Sequence, residues 1–390
     1  MNWSAQDYLN LSVLTYQPNR RCATVYLSKM LPKIPPPWLW RNPLLRTALA
    51  TLAFVYEALL LLRLWMYRHG LITTFRPPVP VIAVGNLTVG GTGKTPVIEM
   101  LMCSLQQQQR RIVILSRGYG RCSKATLQRF CSADAPWPLS PKLLGDEPTW
   151  LAQRHPEVPV YVGSSRIRNA RWALLRDRPD LILLDDAYQH LAVARDLNLL
   201  LIDAERGLGN RQLLPLGELR EPEHHWHRAD AILLTKANLG FSDAWMHLLR
   251  QELKVDRPIF RCDYLPVRLR RLDGQEVRDV KTLAEEAVFA NCGIAQPEGF
   301  AQVLRPLCQS LEDLSSWPDH HSYTGEDVQR LLWLWRKSRA QRWVTTEKDA
   351  VKLAAFAELA EIVWILEMEV VPEPSWHQFF SGFLQCHPLK

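Results

Sequence analysis

The sequence predicts an α/β protein in three parts: a P-loop-type, doubly wound and mostly parallel sheet, a second and smaller α/β domain, and an N-terminal membrane-associating helix. Three observations carry this. A glycine-rich turn, Gly90-Gly91-Thr92-Gly93-Lys94-Thr95, sits between an apolar run at residues 81–84 and a helix-compatible run at 97–102. Short apolar runs alternate with helix-like segments as far as about Asn238, the signature of parallel strands joined by helical crossovers. Upstream lies an apolar stretch at 44–67 with neither proline nor glycine.

Residues 1–43 read as an irregular extension, because Pro32, Pro35, Pro36 and Pro37 break any continuous helix. The stretch at 44–67 reads as one helix, and 44–75 as the membrane-associating segment. Glu57 and Arg63 fall inside a would-be span, at a cost of several kcal/mol if both were buried in lipid. Basic residues flank both ends, so they assign no orientation. Trp38, Trp40 and Trp65 suit a headgroup boundary, which favours an interfacial anchor. The alternative is a core helix buried against the next domain. No cleavable signal peptide is expected, since the first apolar run begins far from Met1.

Residues 76–255 form the expected phosphate-loop domain, with strands at 81–84, 112–115, 158–162, 181–184, 199–202 and 231–234. Ligands bind beyond the carboxyl ends of such strands. The loop Thr88, Gly90, Gly91, Thr92, Gly93, Lys94 and Thr95 follows the first of them. Its amides and the helix N-terminus suit phosphate oxygens, Lys94 suits the β- and γ-phosphates, and the Thr95 hydroxyl suits magnesium. Thr88 stands where the strict pattern has glycine. Asp185-Asp186 closes the fourth strand, where an acid can hold magnesium directly or through water. Adjacent acids point to opposite sides, so their roles should differ.

Residues 256–390 form the second domain, with strands at 287–290 and 343–346 and helices at 297–304 and 326–336. Residues 259–264 and 362–371 are expected to pair as a ribbon linking the two domains. The net charge of +7 favours an acidic partner. The eight cysteines show no CxxC spacing, which signals neither zinc nor a redox pair and fits a reducing compartment. His224, His225 and His227 lack the convergence a metal site needs.

Seven ordered stretches make the chain recognisable: Val84-Gly85-Asn86 running into the phosphate loop; Ser116-Arg117-Gly118-Tyr119; Gly145-Asp146-Glu147-Pro148; Asp185-Asp186-Ala187-Tyr188-Gln189-His190; Gly209-Asn210 with Leu213-Leu214-Pro215 and Leu219-Arg220-Glu221-Pro222; Pro318-Asp319-His320-His321; and Thr346-Glu347-Lys348-Asp349-Ala350. Together they resemble the tetraacyldisaccharide 4′-kinase family of lipid A biosynthesis, over about residues 40–370. Ala187 and Tyr188 depart from the family's usual Gly-Phe, and Glu218 stands where proline is commoner.

The resemblance implies γ-phosphoryl transfer from ATP, with Mg2+, to the 4′-hydroxyl of a tetraacylated glucosamine disaccharide 1-phosphate, giving the bisphosphorylated lipid A precursor. It implies two α/β domains with the site between them, working at the cytoplasmic face of the bacterial inner membrane. It makes Lys94, Asp146, Asp186 and His320 the catalytic candidates, with Asp146 and a histidine of the Asp-His-His motif as a couple. His321 is the alternative to His320, and which member takes the proton stays open. Thr95, Asp185, Asp186 and Glu221 are the metal candidates. Tyr119, Glu147, Arg166, Gln189 and Arg220 are the substrate-binding candidates, with Arg117 a further possible phosphate contact. The lipid and a membrane surface are the expected partners, with no nucleic acid and no protein. A guanine-nucleotide enzyme is the nearest rival, but Thr235-Lys236-Ala237-Asn238 ends in Asn where guanine readers carry Asp.

Overall fold

A computed structural model describes residues 42–118, 121, 127–131, 141–388. Tyr119 and residues 1–41 therefore lie outside the described residues.

Helix α1 (Pro43–Arg68) begins where Asn42 caps it, its side chain accepting from the amides of Leu44 and Leu45, with Pro43 supplying a preset φ at the first turn. It is long and apolar enough to cross a membrane by length and composition. Ala53 is its one buried residue, while Phe54 is 71% and Leu59 60% exposed. Among the described residues nothing covers the apolar face, which counts against the buried-core alternative. Two polar tethers hold α1 to the body. The Tyr56 hydroxyl donates to the Arg220 carbonyl at 2.8 Å, and Arg63 donates to the Gln189 carbonyl at 3.0 Å.

The strands that follow are β1 (Val81–Asn86), β2 (Ile112–Ser116), β3 (Gln128–Phe130), β4 (Val160–Val162), β5 (Leu181–Leu184), β6 (Leu197–Asp203) and β7 (Ala231–Thr235). All but β3 lie parallel, in the order β7-β6-β1-β5-β2-β4, with β3 antiparallel at the edge. Their apolar runs are near-continuous because both faces are covered. On one face, α2 (Lys94–Gln107) packs Val97, Ile98, Leu101 and Leu105 into the core. On the other, Ala170 and Ala173 of α4 (Arg166–Arg176) pack against Val113 and Ile182. Between β2 and β4 lies α3 (Asp146–Arg154).

The sheet continues without a break into the second half. β8 (Ile259–Arg271) runs parallel to β7 through Cys262, then pairs antiparallel with β13 (Val363–Pro372) along residues 262–271. The expected ribbon exists and is longer than its predicted first strand. Beyond β13 come β12 (Arg342–Thr346), β10 (Ala287–Cys292) and β11 (Ser310–Ser316), mutually parallel, while β9 (Val277–Asp279) pairs with β8. Helices α5 (Pro297–Leu304), α6 (Gly325–Lys337) and α7 (Glu347–Leu353) accompany them, and α8 (Pro374–Gln385) returns to cover α2 through Trp376 and Phe380. Because β13 opposes β8, the strands of the second half aim their carboxyl ends toward those of the first.

A buried charge cluster fastens this junction. Arg154, at the end of α3, meets Glu99 of α2, Glu347 of α7 at 2.8 Å and Glu367 of β13 at 2.9 Å. Glu367 also takes Arg268 and Arg270 from β8. Burial pushes Glu347 up to about 8, against the pull of Arg154.

Candidate active site

The phosphate loop owes its shape to its glycines. Gly90 and Gly93 adopt φ of 101° and 76°, the left-handed region that disfavours side chains. Thr88 needs no such freedom. Its carbonyl accepts from the Asn86 side chain at 2.8 Å, and it bridges to Leu219, so threonine is tolerated where the strict pattern has glycine. A Cβ on Gly93 would lie 1.9 Å from the Tyr264 hydroxyl, which donates to the Gly93 carbonyl at 2.7 Å. Gly93 caps α2 with no side chain on the first amides, leaving them for an anion. Glu218 is buried and pairs with Arg206 at 2.6 Å, and that guanidinium lies over Gly90.

Lys94 is 7% exposed and reaches 3.6 Å from Asp186. Asp186 turns back from the end of β5 at φ 46° and accepts from Arg220 at 3.0 Å on both oxygens. Burial works to raise its pKa, but Lys94 and Arg220 outweigh it and hold the carboxylate low. Asp185 is buried on the other side. Ser116 donates to its Oδ2 at 2.8 Å, and Oδ1 has no partner among the described residues. Burial, with Glu147 and Asp186 adding their charge, pushes Asp185 up to about 7. The two acids thus differ in company, as adjacent residues at a strand tip should. A buried carboxylate with an unpaired oxygen among other acids has the chemistry a cation would satisfy.

Asp146 is the first residue of α3. His320, held at φ 62° beyond β11, brings Nδ1 to 3.1 Å from Asp146 Oδ2. His321 faces away, with Nε2 3.1 Å from Asp327 and its ring stacked on Trp317. The structure therefore joins His320, not His321, to Asp146. Lys352 Nζ lies 3.2 Å from the same Oδ2. Burial raises the pKa of Asp146, yet the His320 hydrogen bond and the Lys352 charge carry it below the usual carboxylate value.

A cleft of about 260 Å³ is lined by Gly91 to Thr95, Asp146, Glu147, Tyr264, Asp319 and Lys348 among others. The phosphate loop and Asp146, the carboxylate that His320 contacts, share one cavity.

The other expected residues are placed unevenly. Arg166 is 3% exposed and donates to the Asp185 carbonyl at 2.7 Å, and burial pulls its pKa down to about 10. Arg117 is exposed. Arg220 is spent on Asp186, and the Gln189 amide donates to the Asn86 carbonyl at 2.8 Å, bracing the strand that feeds the loop. Glu221 departs most from expectation: Arg228 and His225 hold its carboxylate, His225 at 3.0 Å. His227 contacts the His224 carbonyl, so the histidine cluster is engaged locally. Lys352 escaped the sequence reading. Its one signal was the spacing of four from Lys348, which on a helix puts both amines on one face.

The sequence profile described as LpxK, tetraacyldisaccharide-1-P 4′-kinase, matches residues 45–385. The tetraacyldisaccharide 4′-kinase of Bdellovibrio bacteriovorus is 34% identical over 84% of this chain and 95% of its own length. That of Syntrophus aciditrophicus is 36% identical over 87% and 95%. A crystal structure of an "apo" form of LpxK from Aquifex aeolicus in complex with ATP superimposes with a TM-score of 0.70 at 30% identity, covering 88% of this chain and 99% of that one. With the phosphate loop and Asp146 on one cleft, and a family match over residues 45–385, the chain belongs to the tetraacyldisaccharide 4′-kinase family.

Proposed function

We infer that this chain is the ATP-dependent kinase that moves the γ-phosphate of ATP to the 4′-hydroxyl of tetraacyldisaccharide 1-phosphate, giving the bisphosphorylated precursor of lipid A. The observation that carries the site assignment is the placing of Lys94 and Asp146 on one cleft. The loop amides and Lys94 bind the phosphates, Thr95, Asp185 and Asp186 would hold magnesium, and magnesium when bound neutralises charge on the phosphate oxygens. Glu221 joins that set only by releasing Arg228 and His225. Arg220 aims Asp186. Asp146 accepts the hydroxyl proton with His320 fixing its orientation. Arg166 and Glu147 lie on the acid-pair side, where Arg166 offsets transferred charge.

The domain boundary is placed near residue 256, just before β8. The exposed face of α1 is the surface that meets lipid, on the cytoplasmic side of the inner membrane, as a peripheral or monotopic contact. Deleting residues 1–70 is expected to abolish co-sedimentation with anionic vesicles and to raise the KM for the lipid, with ATP affinity kept. A truncated protein that still sediments with vesicles removes α1 as the anchor.

The direct test incubates purified protein with γ-labelled ATP, magnesium and tetraacyldisaccharide 1-phosphate in mixed micelles. Label is expected in the lipid. ATP binding without any transfer to this acceptor overturns the assignment.

A further inference from the structure

Lys352 lies outside every residue assigned so far to the reaction, yet it touches the proposed base. Its amine is buried, 7% exposed, 3.2 Å from Asp146 Oδ2 and 3.5 Å from Asp349 Oδ1. A buried ammonium is costly without counter-charge, and here two carboxylates supply it. Asp349 is itself immobilised: it accepts from the Gly293 amide at 2.8 Å and the Thr346 hydroxyl at 2.6 Å, and from Tyr323 at 3.2 Å. Lys352 therefore stands on a rigid platform in the second half of the molecule and presses on an acid in the first. His320 Nδ1 reaches the same oxygen. Both contacts gather on Oδ2.

We propose that Lys352 is a positioning residue for phosphoryl transfer, clamping Oδ2 of Asp146 so that Oδ1 faces the attacking hydroxyl. This rests on the reading of Asp146 as base. In the step, the acceptor O–H bond breaks as its oxygen bonds to the γ-phosphorus, the proton passes to Oδ1, and the bond from the γ-phosphorus to the bridging oxygen breaks to release ADP. Without Lys352 the carboxylate keeps one hold, His320, and can swing about it.

The titratable and charged groups facing Asp146 are His320, flanked by Lys348 at 3.2 Å and Asp319 at 3.9 Å, and Lys352, flanked by Asp349. Glu147 follows it in the chain, and Lys94 lines the same cleft. Removing Lys352 takes away its charge, which with the His320 hydrogen bond opposes burial, so the carboxylate protonates more easily and the acid limb of the rate profile moves to higher pH.

The test is Lys352→Met in the full-length protein, with Lys352→Arg and Asp146→Asn in parallel. For Lys352→Met, kcat is expected to fall about 10–100-fold. The acid limb of kcat should rise by about one pH unit, the ATP Kd should stay within about twofold, and Lys352→Arg should recover most of the rate. Wild-type kcat and an unmoved acid limb overturn the proposal. So does a loss of rate matched by loss of ATP binding and of thermal stability, which marks Lys352 as a mere prop. If Asp146→Asn is inactive while Lys352→Met is normal, the Lys352 assignment alone fails. If Asp146→Asn turns over normally, the base reading fails and this proposal with it.

Discussion

Lys94→Ala is expected to lower the rate of phosphoryl transfer by about 10³-fold or more, a loss of about 4 kcal/mol in transition-state stabilisation. The side chain sits at the first position of α2, is buried, and has Asp186 at 3.6 Å as its ionic neighbour. That separation is too long for a tight ion pair, so little folding energy is tied up in it. Arg220 keeps Asp186 paired at 3.0 Å when the amine is gone. The fold and the melting temperature should therefore survive, while the γ-phosphate loses the cation that compensates its charge as it moves. Single-turnover transfer of labelled phosphate, alongside a thermal melt, separates the two effects. Transfer above about a tenth of wild type would show that the loop does not hold the reacting phosphate.

Asp146→Asn should lower kcat by about 10²–10⁴-fold with the ATP Kd little changed, since the amide keeps the shape of the carboxylate but cannot take a proton. The pH dependence carries a sign. The folded-state pKa of Asp146 is depressed, because His320 and Lys352 together outweigh burial. The base then stays ionised below the ordinary aspartate value of about 3.9, and the wild-type rate should show no acid limb from Asp146 until the pH falls through that lowered pKa. An acid limb that appears nearer neutrality belongs to a group other than Asp146. A variant with normal kcat would falsify the assignment of Asp146 as base.

Most strands were legible because their residues are buried on both faces, and continuous apolar runs such as Leu181–Leu184 announce that without any neighbour in view. Other elements were hidden for physical reasons. β11, Ser-Leu-Glu-Asp-Leu-Ser-Ser, is an edge strand with no fully buried position, so it shows no core pattern. β8 was read to Tyr264 and runs to Arg271, because Pro266, Arg268 and Arg270 resemble a surface turn until Glu367 on β13 is seen to take both arginines. In the site, residues grouped by local motif came together, as with the loop and Asp186. Choices that depend on distant chain did not resolve. His320 and His321 are equivalent on paper; what separates them is backbone direction and an acid 174 residues away. Glu221 was assigned by its motif, and its engagement by Arg228 and His225 is visible only in three dimensions.

The unbroken β8–β13 ladder has a mechanical consequence. A flexible tether between two lobes would let them drift apart in any direction. Here the lobes are woven by main-chain hydrogen bonds along nine successive residue pairs, with a bulge between Glu367 and Met368. Sheets resist stretching and shearing but yield to torsion, and bulges are where they yield most readily. The ribbon therefore sets the spacing of the two halves through main-chain bonds rather than through a tether. The 3.1 Å meeting of His320 and Asp146, one from each half, depends on that same ladder, so a change in its twist would be felt at the proton-accepting couple.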